Sequence, residues 1–350
     1  MKSSLALRST IGGTLAAMIA AVTFAPSASA QSVEEFYKGK TVQIVVGFGA
    51  GASYDTYARI LAEHIERHIP GNPRAIVVNM EGAGSLRLAN WLYNAAPKDG
   101  TVFGMTSRAA PFAGLIGTQG GTNFEPTKFN WIGSANNEVS TCISWHTAPV
   151  KAFDQLRQTE LIIGGDGPSA DGEQFARVMN ALFDTRIKIV SGYPGGNAIN
   201  LAVERGEVQG RCGWSWSGIV AERRQWIDEH KINVLVQFGL NKHPDLPDVP
   251  TILDQARTDE QKQILQLVLA RQPLGRPFLA PPGVPADRVD ALRKAFMATM
   301  SDSQFVAAAQ KSKLEINPLP GAEVAALVDG VFTTVPPAAV AKTKEILSRN

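Results

Sequence analysis

The run TVQIVVGF at residues 41–48 constrains this chain more than any other segment. β-Branched residues follow one another with almost no polar alternation, which suits a strand covered on both faces inside a parallel sheet. Glycines come next, in GFGAGAS at 47–53. Tyr54, Tyr57, Leu61, Ile65 and Ile69 then recur every three or four residues along one helical face, with Glu63, Glu66, Arg67 and His68 on the remainder. Pro70 and Gly71 stop that helix. The unit repeats, with a short strand at 75–78, a glycine turn at 81–85, a helix at 86–93 and a strand at 101–105. Strand, glycine turn and helix in this order predict an open α/β sheet.

A second α/β region begins near Trp131. Strands are expected at 161–164 and 187–190 with a helix at 172–183 between them, an extended piece at 208–213, and a returning strand NVLVQFG at 233–239. Pro244, Pro247 and Pro250 make the following connection stiff and turn-prone. After PFLAPPGVP at 277–285, helices are expected near 286–300 and 302–311, and the tail reads as helical at 323–332 and 338–347.

The first 30 of the 350 residues read as an export signal: Lys2 and Arg8 precede an apolar stretch at 11–24, and Ala28-Ser29-Ala30 forms a small-x-small cleavage site. The signal carries both of those bases and no acid, so the remaining 320 residues balance 32 basic against 32 acidic side chains. That balance gives no basic surface for nucleic acid. An apolar content of 44% with 19% charged residues describes a compact chain, and its length favours two domains over one. No apolar run after residue 30 approaches the roughly 20 residues that a bilayer-spanning helix needs.

Two cysteines, Cys142 and Cys212, are too few and too far apart for a structural zinc site, and in an oxidising compartment they are expected to form a disulfide rather than two buried thiols. Cys142 and His146 would stand roughly 13 Å apart on a strand, too far for proton transfer.

The turn Gly47-Phe48-Gly49-Ala50-Gly51-Ala52-Ser53 joins strand to helix, and Gly82-Ala83-Gly84-Ser85 repeats the arrangement. Such turns are either ordinary tight connections or nests whose backbone N–H groups and helix start cradle an anion. No lysine follows Gly51, so the phosphate-reaching cation of a P-loop is absent, and Ala52 occupies the last position of G-x-G-x-x-G. Asp55 is expected to bond back into its own loop. Gly213-Trp214-Ser215-Trp216-Ser217 starts like a nucleophile elbow but has Ser217 in place of the second glycine. His64 and His68 lack the glutamate of H-E-x-x-H, and no metal cluster or paired-acid arrangement stands out. Trp131, Trp145, Trp214 and Trp216 are suited either to a ligand cleft or to the core.

Taken in order, VVGFGAGASYDTYAR at 45–59, NMEGAGS at 79–85, PKDGTVFGM at 97–105, SGYPGG at 191–196, RGEVQG at 205–210, HPDLPDVPT at 243–251 and PPGVP at 281–285 resemble the exported substrate-binding proteins of tripartite tricarboxylate transporters, the Bug family. The resemblance implies a type II periplasmic binding-protein fold, α/β with two lobes and an interlobe cleft. Lobe one would comprise 31–130 plus 245–350 and lobe two 131–244. It further implies a periplasmic, monomeric, non-catalytic receptor without cofactor, which captures a small organic carboxylate and delivers it to an integral-membrane permease. The candidate ligand-binding residues of lobe one are Phe48, Gly49, Ala50, Gly51, Ser53 and Asp55 in the first turn, Gly82, Ala83, Gly84 and Ser85 in the second, and Ser107 after the third strand. Those of lobe two are Gly165, Asp166, Ser169, Ala170, Tyr193 and Ser215. Glu81 and Asp166 stand where the family is generally neutral, and acids near the cleft would disfavour a tricarboxylate. The alternative reading is a secreted α/β enzyme acting on a carboxylated metabolite.

Overall fold

The computed structural model describes residues 31–51, 53–117, 121–167 and 170–348; the expected export signal at 1–30 lies outside them. The described strands form two mixed sheets. The first holds β1 (Thr41–Val46), β2 (Arg74–Asn79), β3 (Val102–Met105), β4 (Asn130–Ser134), β10 (Pro277–Ala280) and β11 (Leu319–Pro320), in the order β11-β4-β10-β3-β1-β2. The second holds β5 (Ser140–Trp145), β6 (Leu161–Gly164), β7 (Ile187–Val190), β8 (Gly210–Ser215) and β9 (Ile232–Phe238), in the order β7-β6-β8-β5-β9.

The apolar run that opened the sequence reading is β1, parallel to both β2 and β3. Val42, Ile44 and Val46 pack with Tyr57, Leu61 and Ile65 of the Ser53–Ile65 helix on one face, and Val45 joins Leu88 and Leu92 of the Leu86–Asn94 helix on the other. Burial on both faces is what the unbroken β-branched run requires. Trp131 lies in the core, whereas Trp145, Trp214 and Trp226 meet edge to face beside the second sheet. Among the described residues no single helix is long and apolar enough to cross a membrane.

β4 spans the boundary drawn at 130/131 and hydrogen-bonds between β10 and β11 in the first sheet, so the chain first passes between the sheets after Ser134. It returns before β10, and the two passages are tied together through main-chain bonds. Ala135 N–H donates to Arg276 O (2.9 Å), Glu138 N–H to Gln272 O (3.0 Å) and Gly275 N–H to Asn136 O (3.1 Å). Two helices from the stretch read as lobe one, Asp259–Leu269 and Pro337–Ser348, reach the Asp171–Phe183 helix of the second sheet. Gln261 Nε2 donates to Leu182 O (2.7 Å) and Arg177 Nη1 to Leu347 O (3.0 Å).

Cys142 of β5 faces Cys212 of β8 and the two form a disulfide, both buried. Their separation of 70 residues closes a long loop. Replacing both with alanine should lower the equilibrium unfolding free energy by about 4 kcal/mol on the chain-entropy account, measured by urea titration. A loss below about 1 kcal/mol would show that the sheet holds this register without the bond.

Candidate functional site

A cleft of about 760 Å³ opens between the sheets, beyond the carboxyl ends of β1, β3, β6 and β8, where open α/β sheets place their ligands. Its first wall carries Phe48, Ser53, Tyr54, Ala83, Gly84 and Ser107; the second carries Asp166, Ala170, Asp171, Gly196, Arg211 and Ser215. Five helices begin at this cleft: Ser53–Ile65, Leu86–Asn94, Asp171–Phe183, Gly196–Glu204 and Trp216–Asp228. Their amino ends bring the positive ends of their dipoles toward the same space, an arrangement that favours an anion.

The glycine turns contribute differently from the expectation. Gly51 N–H is not offered to the cleft but donates to Asp55 Oδ2 (2.8 Å). Asp55 is buried and also accepts from Arg59 Nε (2.8 Å) and Asn79 Nδ2 (2.8 Å). Burial works to raise its pKa, but these hydrogen bonds outweigh it and hold the carboxyl below its ordinary value. The two turns also lock together: a Cβ on Gly47 would lie 2.3 Å from Ser85 Cβ, so only glycine permits this approach. Ser85 Oγ in turn accepts from Ser107 N–H (2.6 Å). Ala83, Gly84 and Ser85 have φ of 48°, 60° and 71°, and two of them are left-handed without being glycine.

Of the residues expected in lobe one, Phe48, Ser53, Ala83, Gly84 and Ser107 line the cleft. Gly49, Ala50, Gly51, Asp55, Gly82 and Ser85 do not; they build the turns behind it, with Gly49 beside the Glu81 carboxylate. In lobe two, Asp166, Ala170 and Ser215 line the cleft. Gly165 is displaced from that role because its N–H donates to Val190 O (2.9 Å) and its carbonyl accepts from Tyr193 N–H (3.1 Å). Tyr193 packs instead into a small apolar cluster with Ile199 and Val203. Ser169 lies outside the described residues. Ser215 Oγ caps the Trp216–Asp228 helix by accepting from Gly218 N–H (3.2 Å).

The sequence reading missed the arginines. Arg108, Arg211, Arg271 and Arg276 all line the cleft, together with Asp166, Asp171 and Glu222. Arg108 donates to Asp171 Oδ2 through Nε (2.9 Å) and Nη2, and to Ser140 Oγ through Nη2 (3.0 Å). Arg271 Nη1 meets Asp171 Oδ1 at 3.0 Å and donates to Gln174 Oε1 at 2.7 Å. Burial acts to raise the Asp171 pKa, but the two guanidinium groups outweigh it and keep it low. One carboxylate does not neutralise both cations. Arg108 is shifted up by Asp171 against the effect of burial, whereas Arg271 is shifted down, by burial first and by repulsion from Arg108 as well. Arg276 stacks on Tyr54 and Tyr57, donates to Ser53 Oγ (3.0 Å) and has Glu138 Oε2 at 3.7 Å. Lost solvation lifts the Asp166 pKa, with Arg211 opposing the rise.

No family model and no curated protein matches the chain. Among solved structures, the periplasmic binding protein BugD aligns over 89% of this chain and 98% of its own, at 20% identity and a TM-score of 0.64. MatC from Rhodopseudomonas palustris, with bound malate, aligns over 88% and 99% at 19% identity and 0.61. An R. palustris protein with adipate aligns over 87% and 97% at 17% identity and 0.65. The chain has the fold of the periplasmic binding proteins. The two-lobed α/β class expected from the sequence is therefore the one observed.

Asp171→Asn should cost about 3–5 kcal/mol of stability near neutral pH, because it strips two buried guanidinium groups of their shared counter-charge. The Asp171 pKa is lower in the folded state than its ordinary 3.8. Its contribution is therefore present above that value and is lost as pH falls through the folded-state pKa. Urea unfolding of the two proteins should differ at pH 7 and converge in acid; equal stability at pH 7 would show the bridge to be dispensable.

Proposed function

We propose that the protein is an exported receptor that binds a small organic carboxylate in the interlobe cleft and passes it to an integral-membrane permease. The observation that carries this reading is the convergence of five helix amino ends and four guanidinium groups on one cavity between two sheets. Fixed positive ends and charge-assisted donors suit an acid group, and a site walled by two lobes suits closure around a ligand. The likeness of fold to proteins solved with malate and adipate supports the same ligand class. The signal-like segment at 1–30 supports a periplasmic destination. We take lobe one to extend through β4, with the Asp259–Leu269 and Pro337–Ser348 helices covering both lobes, and the receptor to act as a monomer.

The enzymatic alternative is weaker because Ser215, the serine of the elbow-like stretch, is engaged in capping a helix, the two cysteines are joined in a disulfide, and the described residues lining the cleft include no histidine. The purified protein should be screened by thermal shift and calorimetry against mono-, di- and tricarboxylates, with each bound acid recovered and identified. At a hundredfold excess over Kd a true ligand should add about 2.7 kcal/mol of stability and be recovered unchanged. Conversion of the acid would establish an enzyme, and indifference to every acid would remove the receptor reading.

A further inference from the structure

Three of the four cleft arginines already have a carboxylate at ion-pair distance: Asp171 serves Arg108 and Arg271, and Glu138 serves Arg276. Arg211, on β8, forms no ion pair among the described residues, although it lines the same cavity. Its guanidinium is nevertheless held in place. Nη1 donates to Asn200 Oδ1 (3.0 Å) and Gly196 O (3.3 Å), and the group lies over the Trp214 ring at 4.5 Å. A Cβ on Gly196 would stand 2.3 Å from Nη2 and 2.8 Å from Cζ, so the glycine opening the Gly196–Glu204 helix makes the seat possible. Stacking and two carbonyl contacts fix the orientation of the planar fork before any ligand arrives.

The charges around it are arranged unevenly. Asp166 and Glu222 also line the cleft and act favourably on Arg211, whereas Arg223 repels it. Desolvation still prevails and pulls the Arg211 pKa down to about 10. A cation short of solvent and without an ion-pair partner gains from a bidentate carboxylate. The same two acids penalise any further negative charge brought to that wall.

We propose that Arg211 is the charged anchor of the cleft: it receives one ligand carboxylate, and Asp166 and Glu222 beside it select mono- and dicarboxylates over tricarboxylates. This rests on the receptor reading of the cleft and adds to it the residue and the charge class.

The test is calorimetry with pentanoate, glutarate and tricarballylate, which carry one, two and three carboxylates on comparable skeletons. The wild-type protein should bind pentanoate or glutarate more tightly than tricarballylate. R211Q should weaken that binding about 10- to 100-fold, the range for a charge-assisted hydrogen-bonded pair, and should flatten its dependence on salt. R211K, which keeps the charge without the fork, should fall between the two and serves if R211Q does not fold. D166N/E222Q should bring tricarballylate closer in affinity to glutarate. Unchanged affinity and salt dependence in R211Q would overturn the anchor while leaving the receptor reading intact. Preference of the wild type for tricarballylate would overturn the charge filter, and binding of none of the three acids would overturn this inference, the receptor reading falling with it only if every acid of the wider screen is ignored as well.

Discussion

Asp171 stands between Arg108 and Arg271, and its one carboxylate has to serve two guanidinium groups that have left water. Arg108 follows β3 of the first sheet, while Asp171 begins the helix that follows β6 of the second, so the bridge joins the lobes at the cleft itself. Arg108 also reaches Ser140 at the start of β5. Desolvating an ion costs several kcal/mol unless charge and hydrogen bonds compensate it. The position of the two sheets and the balance of these charges are consequently one problem. Moving the walls apart returns the ions to water and removes their partners in the same step.

The passages between the sheets follow the same logic. Glu138 is buried where the chain first crosses, and it accepts from Asn136 Nδ2 (3.1 Å) and Ser217 Oγ (2.8 Å), with Arg276 from the returning passage at 3.7 Å. Main-chain bonds pair the two passages at this group and just before it. The C-terminal helices then extend one continuous core from Val45 of the first sheet and Leu88 of its covering helix to Phe175 and Met179 behind the second. A two-lobed protein built in this way has charged contacts lining its cleft and apolar contacts behind it. The strength of the charged contacts depends on a ligand's charge, whereas that of the apolar contacts does not.

Much of the fold was legible because its signals are local. The strands at 161–164 and 187–190 and the helix at 286–300 fall where the pattern placed them, since each combines a clear period with turn residues at its ends. The Asp259–Leu269 helix was passed over although Thr258 caps it and Gln261 follows three residues later, a start signal hidden behind the proline-rich connection. The Trp216–Asp228 helix was obscured because its first residues follow directly on β8, within the stretch that starts like a nucleophile elbow. The position of β4 could not be read at all, because pairing with β10 and β11 joins segments more than 140 residues apart. The arginines were illegible for the same reason: residues 108, 211, 271 and 276 carry no shared motif, and only the crossing of the chain brings them to one cavity.

The sequence leaves the glycine turns open between tight connections and an anion site, because glycine-rich turns at helix starts so often serve as the latter. Here Gly51 is bound to Asp55, and the second turn spends its serine on the Ser107 amide, so both turns use polar groups to hold the backbone around them. A turn without the rigidity of proline holds its shape through hydrogen bonds, and the donors so used cannot also meet a ligand. The charged groups at the cleft are side chains with seats of their own: Ser53 at the helix start accepts from Arg276, and Gly196 makes room for Arg211. A guanidinium differs from a backbone amide in carrying a full charge and a fixed fork. On the receptor reading proposed above, discrimination at this cleft depends on the number and placement of a ligand's charges, with its carbon skeleton left to the apolar surfaces of Phe48, Leu86 and Ile116.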